Sequence, residues 1–247
     1  MRIDAEKCVS CKKCAIFCPV KAIKTSDMTP ESADGRRVWI DFDECVECYS
    51  CLRMAKCPTQ ALQESPETSG EPRIQRRYFS DPKCDHKSVG FPGRGTEEVK
   101  TNDVSGVVKR GQVAFGIEMG RPGHGTSATD VEKVMKAAAS LGIKMPPHNA
   151  MYYLIENHET GELKKQYLNE RFLSAIIEFT VPETMIGKIL ETLEKVSKEI
   201  DTVFSLDMFG RYHGTRLPMM DYIKKHNVPY TSHVKVNLGL GRPFMEE

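Results

Sequence analysis

The sequence predicts an α+β protein built from two unlike units, and three observations predict it. Eight of the nine cysteines crowd into two triplets, each followed by a further cysteine, within the first 57 of 247 residues. A stretch rich in proline, glycine and basic residues follows. The last half then alternates apolar patterns of strand period and helix period. The expected organisation is therefore a cysteine-rich unit over residues 1–62, a connecting strap over 63–110, and a larger α+β unit over 111–247.

The first unit is an internal repeat. Asp4, Cys8-Val-Ser-Cys11-Lys-Lys-Cys14 and Cys18-Pro19 recur as Asp41, Cys45-Val-Glu-Cys48-Tyr-Ser-Cys51 and Cys57-Pro58. Between the halves, Asp34-Gly35 before Val38-Trp39-Ile40 predicts a turn entering a strand. The strap holds Arg73, Arg76, Arg77, Lys83, Lys87 and Arg94 against Glu71, Asp81 and Asp85, with no sustained period. With Tyr78, Phe79 and Phe91 it reads as a segment laid over a surface.

In the last unit, Val113, Phe115, Ile117 and Met119 alternate as in a strand. Ser127 or Thr129 then caps a helix with Val131, Val134, Met135, Ala138 and Leu141 on one side, stopped by Gly142. Tyr153–Glu156 and Leu163–Leu168 flank a turn and predict two short strands. Leu173, Ala175, Ile177, Phe179 and Val181 form a stronger one. Pro182 is expected to open a helix with Ile186, Ile189, Leu190, Leu193, Val196 and Ile200 on its apolar side. Phe204, Leu206 and Met208 alternate again, and a helix at Pro218–His226 with a strand at Val234–Leu240 completes the chain. This order predicts a split βαβ sandwich, with two helices on one face of an antiparallel sheet. In architecture it resembles the ferredoxin-like or ACT-like fold.

Cysteines two residues apart, in a chain that opens without a secretory leader, read as metal ligands and not disulfides. Two triplets, each followed by Cys-Pro, have no simple zinc explanation, because zinc knuckles supply pairs. The pattern resembles the bacterial dicluster ferredoxin family over about the first 60 residues. That resemblance implies two 4Fe-4S clusters with crossed ligand sets: Cys8, Cys11, Cys14 and Cys57 for the first, and Cys18, Cys45, Cys48 and Cys51 for the second. Five residues separate Cys51 from Cys57 where three separate Cys14 from Cys18. Unequal clusters are therefore expected. Freely diffusing members of the family are generally acidic, whereas residues 1–62 carry ten Lys/Arg against nine Asp/Glu. A resident subunit of a larger oxidoreductase fits that balance better than a roaming carrier.

One other candidate site stands out. The loop Gly120, Arg121, Gly123, His124, Gly125 and Thr126 lies between a strand and a helix start, where free N–H groups suit an anion. It reads equally as a turn with an N-cap. Cys84 and His86 form a Cys-x-His pair that cannot close a metal site alone. No dinucleotide, phosphate-loop or nucleophile-elbow motif is present, so no catalytic residue is named.

A formal net charge of +1 excludes a nucleic-acid binder driven by charge. No apolar run reaches the roughly 20 residues of a membrane span. The expectation is a cytoplasmic iron–sulfur electron-transfer protein or subunit of anaerobic metabolism, serving a partner oxidoreductase docked by the C-terminal unit, with a homodimer expected by analogy. The alternatives are an oxidoreductase acting on a small anionic substrate, or a ligand-binding redox sensor.

Overall fold

A computed structural model describes residues 1–26, 37–90, 108–121 and 123–231. The expected turn at Asp34-Gly35, the strap from Phe91 onward through residue 107, and the strand at Val234–Leu240 lie outside the described residues.

The repeat is a structural one. Strand β1 (Arg2–Ile3) pairs with β4 (Leu62–Gln63), and β2 (Ile23–Thr25) pairs with β3 (Val38–Ile40), both antiparallel, so each half lends a strand to the other. The same local devices occur twice. Asp4 Oδ1 accepts from the N–H groups of Glu6 and Lys7, and Asp41 Oδ1 accepts from Asp43 and Glu44. The left-handed residues match in pairs: Ser10 with Glu47, Lys12 with Tyr49, and Lys21 with Gln60. These turns wind each triplet of cysteines into a loop.

The halves differ at the uneven arm. Ala15–Phe17 make one 3-10 turn, whereas Ser50–Met54 make a short helix, α1. The longer spacing is thus spent on an extra turn of helix. The strap is more structured than its composition suggests, with a 3-10 turn at Pro66–Thr68 and a helix α2 at Ile74–Tyr78.

In the larger unit the sheet contains β5 (Gln112–Met119), β10 (Ala175–Pro182) and β11 (Phe204–Gly210), in the order β10-β5-β11. Both outer strands run antiparallel to β5 and therefore parallel to each other. Helix α4 (Ile186–Val196) connects them across the central strand. Helix α3 (Ala128–Ala139) follows β5, and its apolar stripe Val131, Val134, Met135 and Ala138 is buried with Ile186, Ile189, Leu193 and Val196 of α4. Phe115, Ile117 and Met119 of β5 and Ile177 and Phe179 of β10 supply the sheet side of that core. Burying such side chains stabilises by about 1.5–3 kcal/mol each. A terminal helix α5 spans Pro218–Lys225.

Three expectations require correction. The first of the two short strands is β7 (Ile155–Asn157), which pairs with β8 (Glu162–Leu163) in a separate hairpin and not with the sheet. Its place beside β10 is taken by a 3-10 turn, Ala150–Leu154, anchored by the Asn149 amide donating to the Ile176 carbonyl at 3.1 Å. The hairpin instead closes on α3, where Glu132 Oε1 accepts from the Leu163 N–H. Residues 165–167, expected as strand, form a 3-10 turn. Pro182 ends β10 with φ −58° and ψ 143°, and a 3-10 turn, Glu183–Met185, precedes α4. Proline's fixed φ suits that extended corner as well as a helix start.

Candidate metal centres

Cys8, Cys11, Cys14 and Cys57 line one cavity, together with Ile3, Val9, Lys12, Lys13 and Ala55 among others. Cys57 comes from the far end of α1, beyond the extra turn. The other four cysteines form a second group: Cys51 feels Cys48, Cys45 and Cys18, and after them Cys14 of the first group, as neighbouring like charges. Burial above all, joined by thiolate neighbours for Cys14 and Cys51, pushes the Cys45 and Cys51 thiols up to about 12 and Cys14 up to about 11. Cys57 differs. Burial raises it, but the N–H groups of Thr59, Ala61 and Leu62 and the Thr59 hydroxyl outweigh burial and hold it low. Cys18 Sγ accepts from the Ala22 N–H at 3.1 Å.

Four sulfurs crowded in a low-dielectric pocket cannot all ionise without a cation, and iron supplies one at each corner of a cubane. Among the described residues, no three His, Cys, Asp or Glu side chains converge on a point as one mononuclear ion would require. A cubane asks instead for one thiolate at each of its four irons. The donor set and its spacing therefore fit the cluster chemistry.

A family model described as a 4Fe-4S dicluster domain matches residues 7–61. The N-terminal segment is a 4Fe-4S dicluster domain. Its cofactors are two 4Fe-4S clusters. Over 65 residues, 26% of this chain, the domain is 40% identical to the pyruvate synthase subunit PorD of Methanocaldococcus jannaschii, covering 65% of that protein. It is 27% identical over 77 residues to a ferredoxin of Pyrobaculum islandicum, covering 31% of this chain and 64% of that one. It is 32% identical over 77 residues to subunit I of the NADH-quinone oxidoreductase of Pelobacter propionicus, 28% of this chain and 39% of that subunit. The chain thus spans less than two thirds of each of these relatives, and the likeness covers 26–31% of this chain. No solved structure matches the chain.

The two halves of the dicluster domain meet very different surroundings. Around the second group, arginines bind the loop backbone. Arg53, in the extra turn, donates to the Cys48 carbonyl at 2.6 Å and to Asp81 at 2.8 Å. Arg73 stacks 3.4 Å from the centroid of the Phe42 ring and donates to the Phe42 carbonyl and to Glu47, a fully buried carboxylate between Cys45 and Cys48. The N-terminal ammonium meets the other Glu47 oxygen. Arg76 donates to the carbonyls of Asp43 (2.7 Å) and Cys45 (2.9 Å), and on its other side to Glu170 (2.5 Å) and the Asn169 carbonyl (3.0 Å). Arg73 and Arg76 of the basic strap are buried and turned inward, because acceptors on both units claim them. Phe79, one helical turn beyond Gln75, packs at 4.8 Å on Phe172 in the core of the larger unit.

The loop Gly120, Arg121, Gly123, His124, Gly125 and Thr126 sits against this domain too. The N–H groups of His124 and Gly125 both donate to the Gly120 carbonyl, and Arg121 pairs with Glu118 at 3.2 Å. Thr126 is buried in the short strand β6 (Thr126–Ser127), and Ser127 caps α3 by accepting from the Asp130 N–H. The Asp130 carboxylate already occupies the positive first turn. A Cβ on Gly120, at φ +80°, would lie 2.8 Å from backbone atoms of Gly125 and Leu173, and one on Gly125 would lie 3.0 Å from Val20. Gly125 therefore serves close approach to the dicluster domain and Gly120 close approach within the loop, where the His124 and Gly125 N–H groups are spent on the Gly120 carbonyl.

Cys84 is half-buried, with Asp81 and Arg77 as neighbours. His86 is fully buried between Tyr78 and Phe79, accepts from the Ser88 N–H, and is pushed down to about 4 by burial. The pair does not share a metal geometry among the described residues. Neither the inward role of Arg73 and Arg76 nor that of Arg53 was visible in the sequence, where the first two are charges in a basic strap and Arg53 is one charge in a nearly balanced segment.

Proposed function

We propose that this chain is an electron-transfer protein or subunit that relays single electrons through its two 4Fe-4S clusters to or from a partner oxidoreductase. In this reading Cys8, Cys11, Cys14 and Cys57 hold the first cluster, and Cys18, Cys45, Cys48 and Cys51 the second. Bound clusters supply reversible one-electron chemistry. The protein's part is to supply thiolates, to exclude water, and to set the polarity around each site through N–H groups and guanidinium groups. The larger unit, read as a ferredoxin-like or ACT-like sandwich over residues 111–247, docks the partner.

The observation that supports this best is the asymmetry of the repeat. The second group of cysteines is wrapped by Arg53, Arg73, Arg76 and the larger unit, while the first opens outward. One exposed end and one enclosed end suit a built-in wire better than a carrier that presents both ends to solvent. The pyruvate synthase and NADH-quinone oxidoreductase relatives are named as subunits of enzymes, which favours the same role here. Anaerobic purification from the native source tests it. Recovery with a larger oxidoreductase, and reduction of the chain's clusters on addition of that enzyme's substrate, are expected. A chain always recovered alone and turning over a substrate of its own would overturn the reading in favour of an independent oxidoreductase.

A further inference from the structure

We infer that the face over the first cysteine group is the docking port for an acidic protein electron carrier. The inference rests on the relay reading above and adds where the external electron enters or leaves and what sort of protein brings it.

The argument begins from repeat-related positions that the fold treats in opposite ways. Val9 follows Cys8 as Val46 follows Cys45, yet Val9 is 62% exposed and Val46 only 1%. Cys11 is exposed where its counterpart Cys48 is buried. Identical chemistry at identical spacing is thus covered once and left open once. Apolar exposure continues on the two elements that lead away from this loop and back to it. Ile16, in the 3-10 turn between Cys14 and Cys18, is 82% exposed, and Met54, in the adjoining α1 between Cys51 and Cys57, is 58% exposed. Exposed large apolar side chains on the segments that carry the cysteines are the kind of feature that marks a protein contact.

Charge decides the partner. Lys12 and Lys13 are the charged residues lining the cavity of Cys8, Cys11, Cys14 and Cys57 among the described residues, and no described carboxylate lines it. Lys56, exposed, precedes Cys57 directly. From Cys8 to Cys18 the sequence holds two lysines and no acid. In the corresponding places of the enclosed half stand Tyr49 and Ser50, so the lysines are not a requirement of the loop. An apolar centre with a basic rim is complementary to a carrier whose own redox centre is ringed by Asp and Glu, and such pairing raises encounter rates steeply at low salt.

The test uses the full chain with both clusters loaded. The chain is reduced anaerobically and mixed in a stopped-flow instrument with an oxidised acidic dicluster ferredoxin. A small neutral quinone is the parallel oxidant. The rate constant with the ferredoxin is expected to fall as salt rises. Lys13→Glu is expected to slow it on the order of tenfold at low salt and to flatten the salt dependence. Ile16→Glu should slow it at all salt concentrations. Both variants should keep the wild-type cluster absorbance, and Ile16→Glu, which lies outside the cavity lining, should keep the wild-type rate with the quinone. A ferredoxin rate that is insensitive to salt, or unmoved by Lys13→Glu and by Ile16→Glu, overturns the port while leaving the relay standing. A chain that passes no electron to the quinone either overturns both.

Discussion

Replacing Arg76 probes how the two units are held together. Its guanidinium is buried and spends its donors on Glu170 across the junction and on the carbonyls of Asp43, Cys45 and Asn169. In Arg76→Met the Glu170 carboxylate, itself buried, loses its cation. Breaking a buried pair from one side costs about 3–5 kcal/mol. The Asp43 carbonyl can be rehydrated because that residue is exposed, so its bond adds little to the loss. The expected destabilisation is therefore about 3–5 kcal/mol, a large share of the roughly 5–15 kcal/mol that holds a typical domain together. Anaerobic urea unfolding of the loaded protein, followed both by far-UV circular dichroism and by cluster absorbance, measures it. The double variant Arg76→Met with Glu170→Leu removes both charges and should recover to within about 1 kcal/mol of wild type. A loss below about 1 kcal/mol in the single variant, or a double variant no better than the single, would refute the clamp.

Three further outcomes follow from the sites. His86 is held neutral, with its folded pKa near 4 against an ordinary value near 6.5, so the unfolded chain takes up the proton first. Stability should be full above about pH 6.5 and fall by about 3 kcal/mol as pH drops to about 4, and His86→Phe should remove that slope in pH-dependent unfolding. For the crossed ligand sets, Cys18→Ser combined with Cys45→Ser should cost half of the bound iron by chemical assay, the same as either change alone; loss of all the iron would mean that the sets are not crossed. Arg53→Met should lower the midpoint of one cluster and leave the other in an EPR-monitored redox titration, with Arg53→Lys intermediate, because the guanidinium on the Cys48 carbonyl favours the added electron. Two midpoints that move together, or neither, would remove Arg53 from that role.

Much of the structure could be read from local pattern. Strand-period alternation at Val113–Met119 and helix-period stripes at Val131–Ala138 and Ile186–Val196 placed the sheet and both helices, because burial on one face leaves its period in the sequence. The cysteine spacing named the cluster domain for a similar reason: a loop that offers three thiolates to one cube must space them closely. What stayed hidden depends on partners distant in the chain. Arg76 meets Glu170 across 94 positions, and nothing near Arg76 marks it as an internal clamp. Val9 and Val46 each follow the first cysteine of their triplet at the same spacing, and the one difference beside them, Ser10 against Glu47, does not by itself tell the open one from the covered one. The stretch at Ile155–Asn157 carries a fair strand pattern, but the edge of β10 is already claimed by Asn149. The glycine loop advertised donors that the folded turn consumes.

The placement of Arg76 has a consequence for how the molecule matures. One side chain grips both the backbone of the Cys45 loop and the acid at the junction, so metal loading at the enclosed site and seating of the larger unit are linked equilibria. By thermodynamic reciprocity, whatever factor iron gains from a seated C-terminal unit is returned as tighter seating once iron is in place. A half-assembled chain is then also a loosened one, more open to proteolysis at the junction than the finished protein.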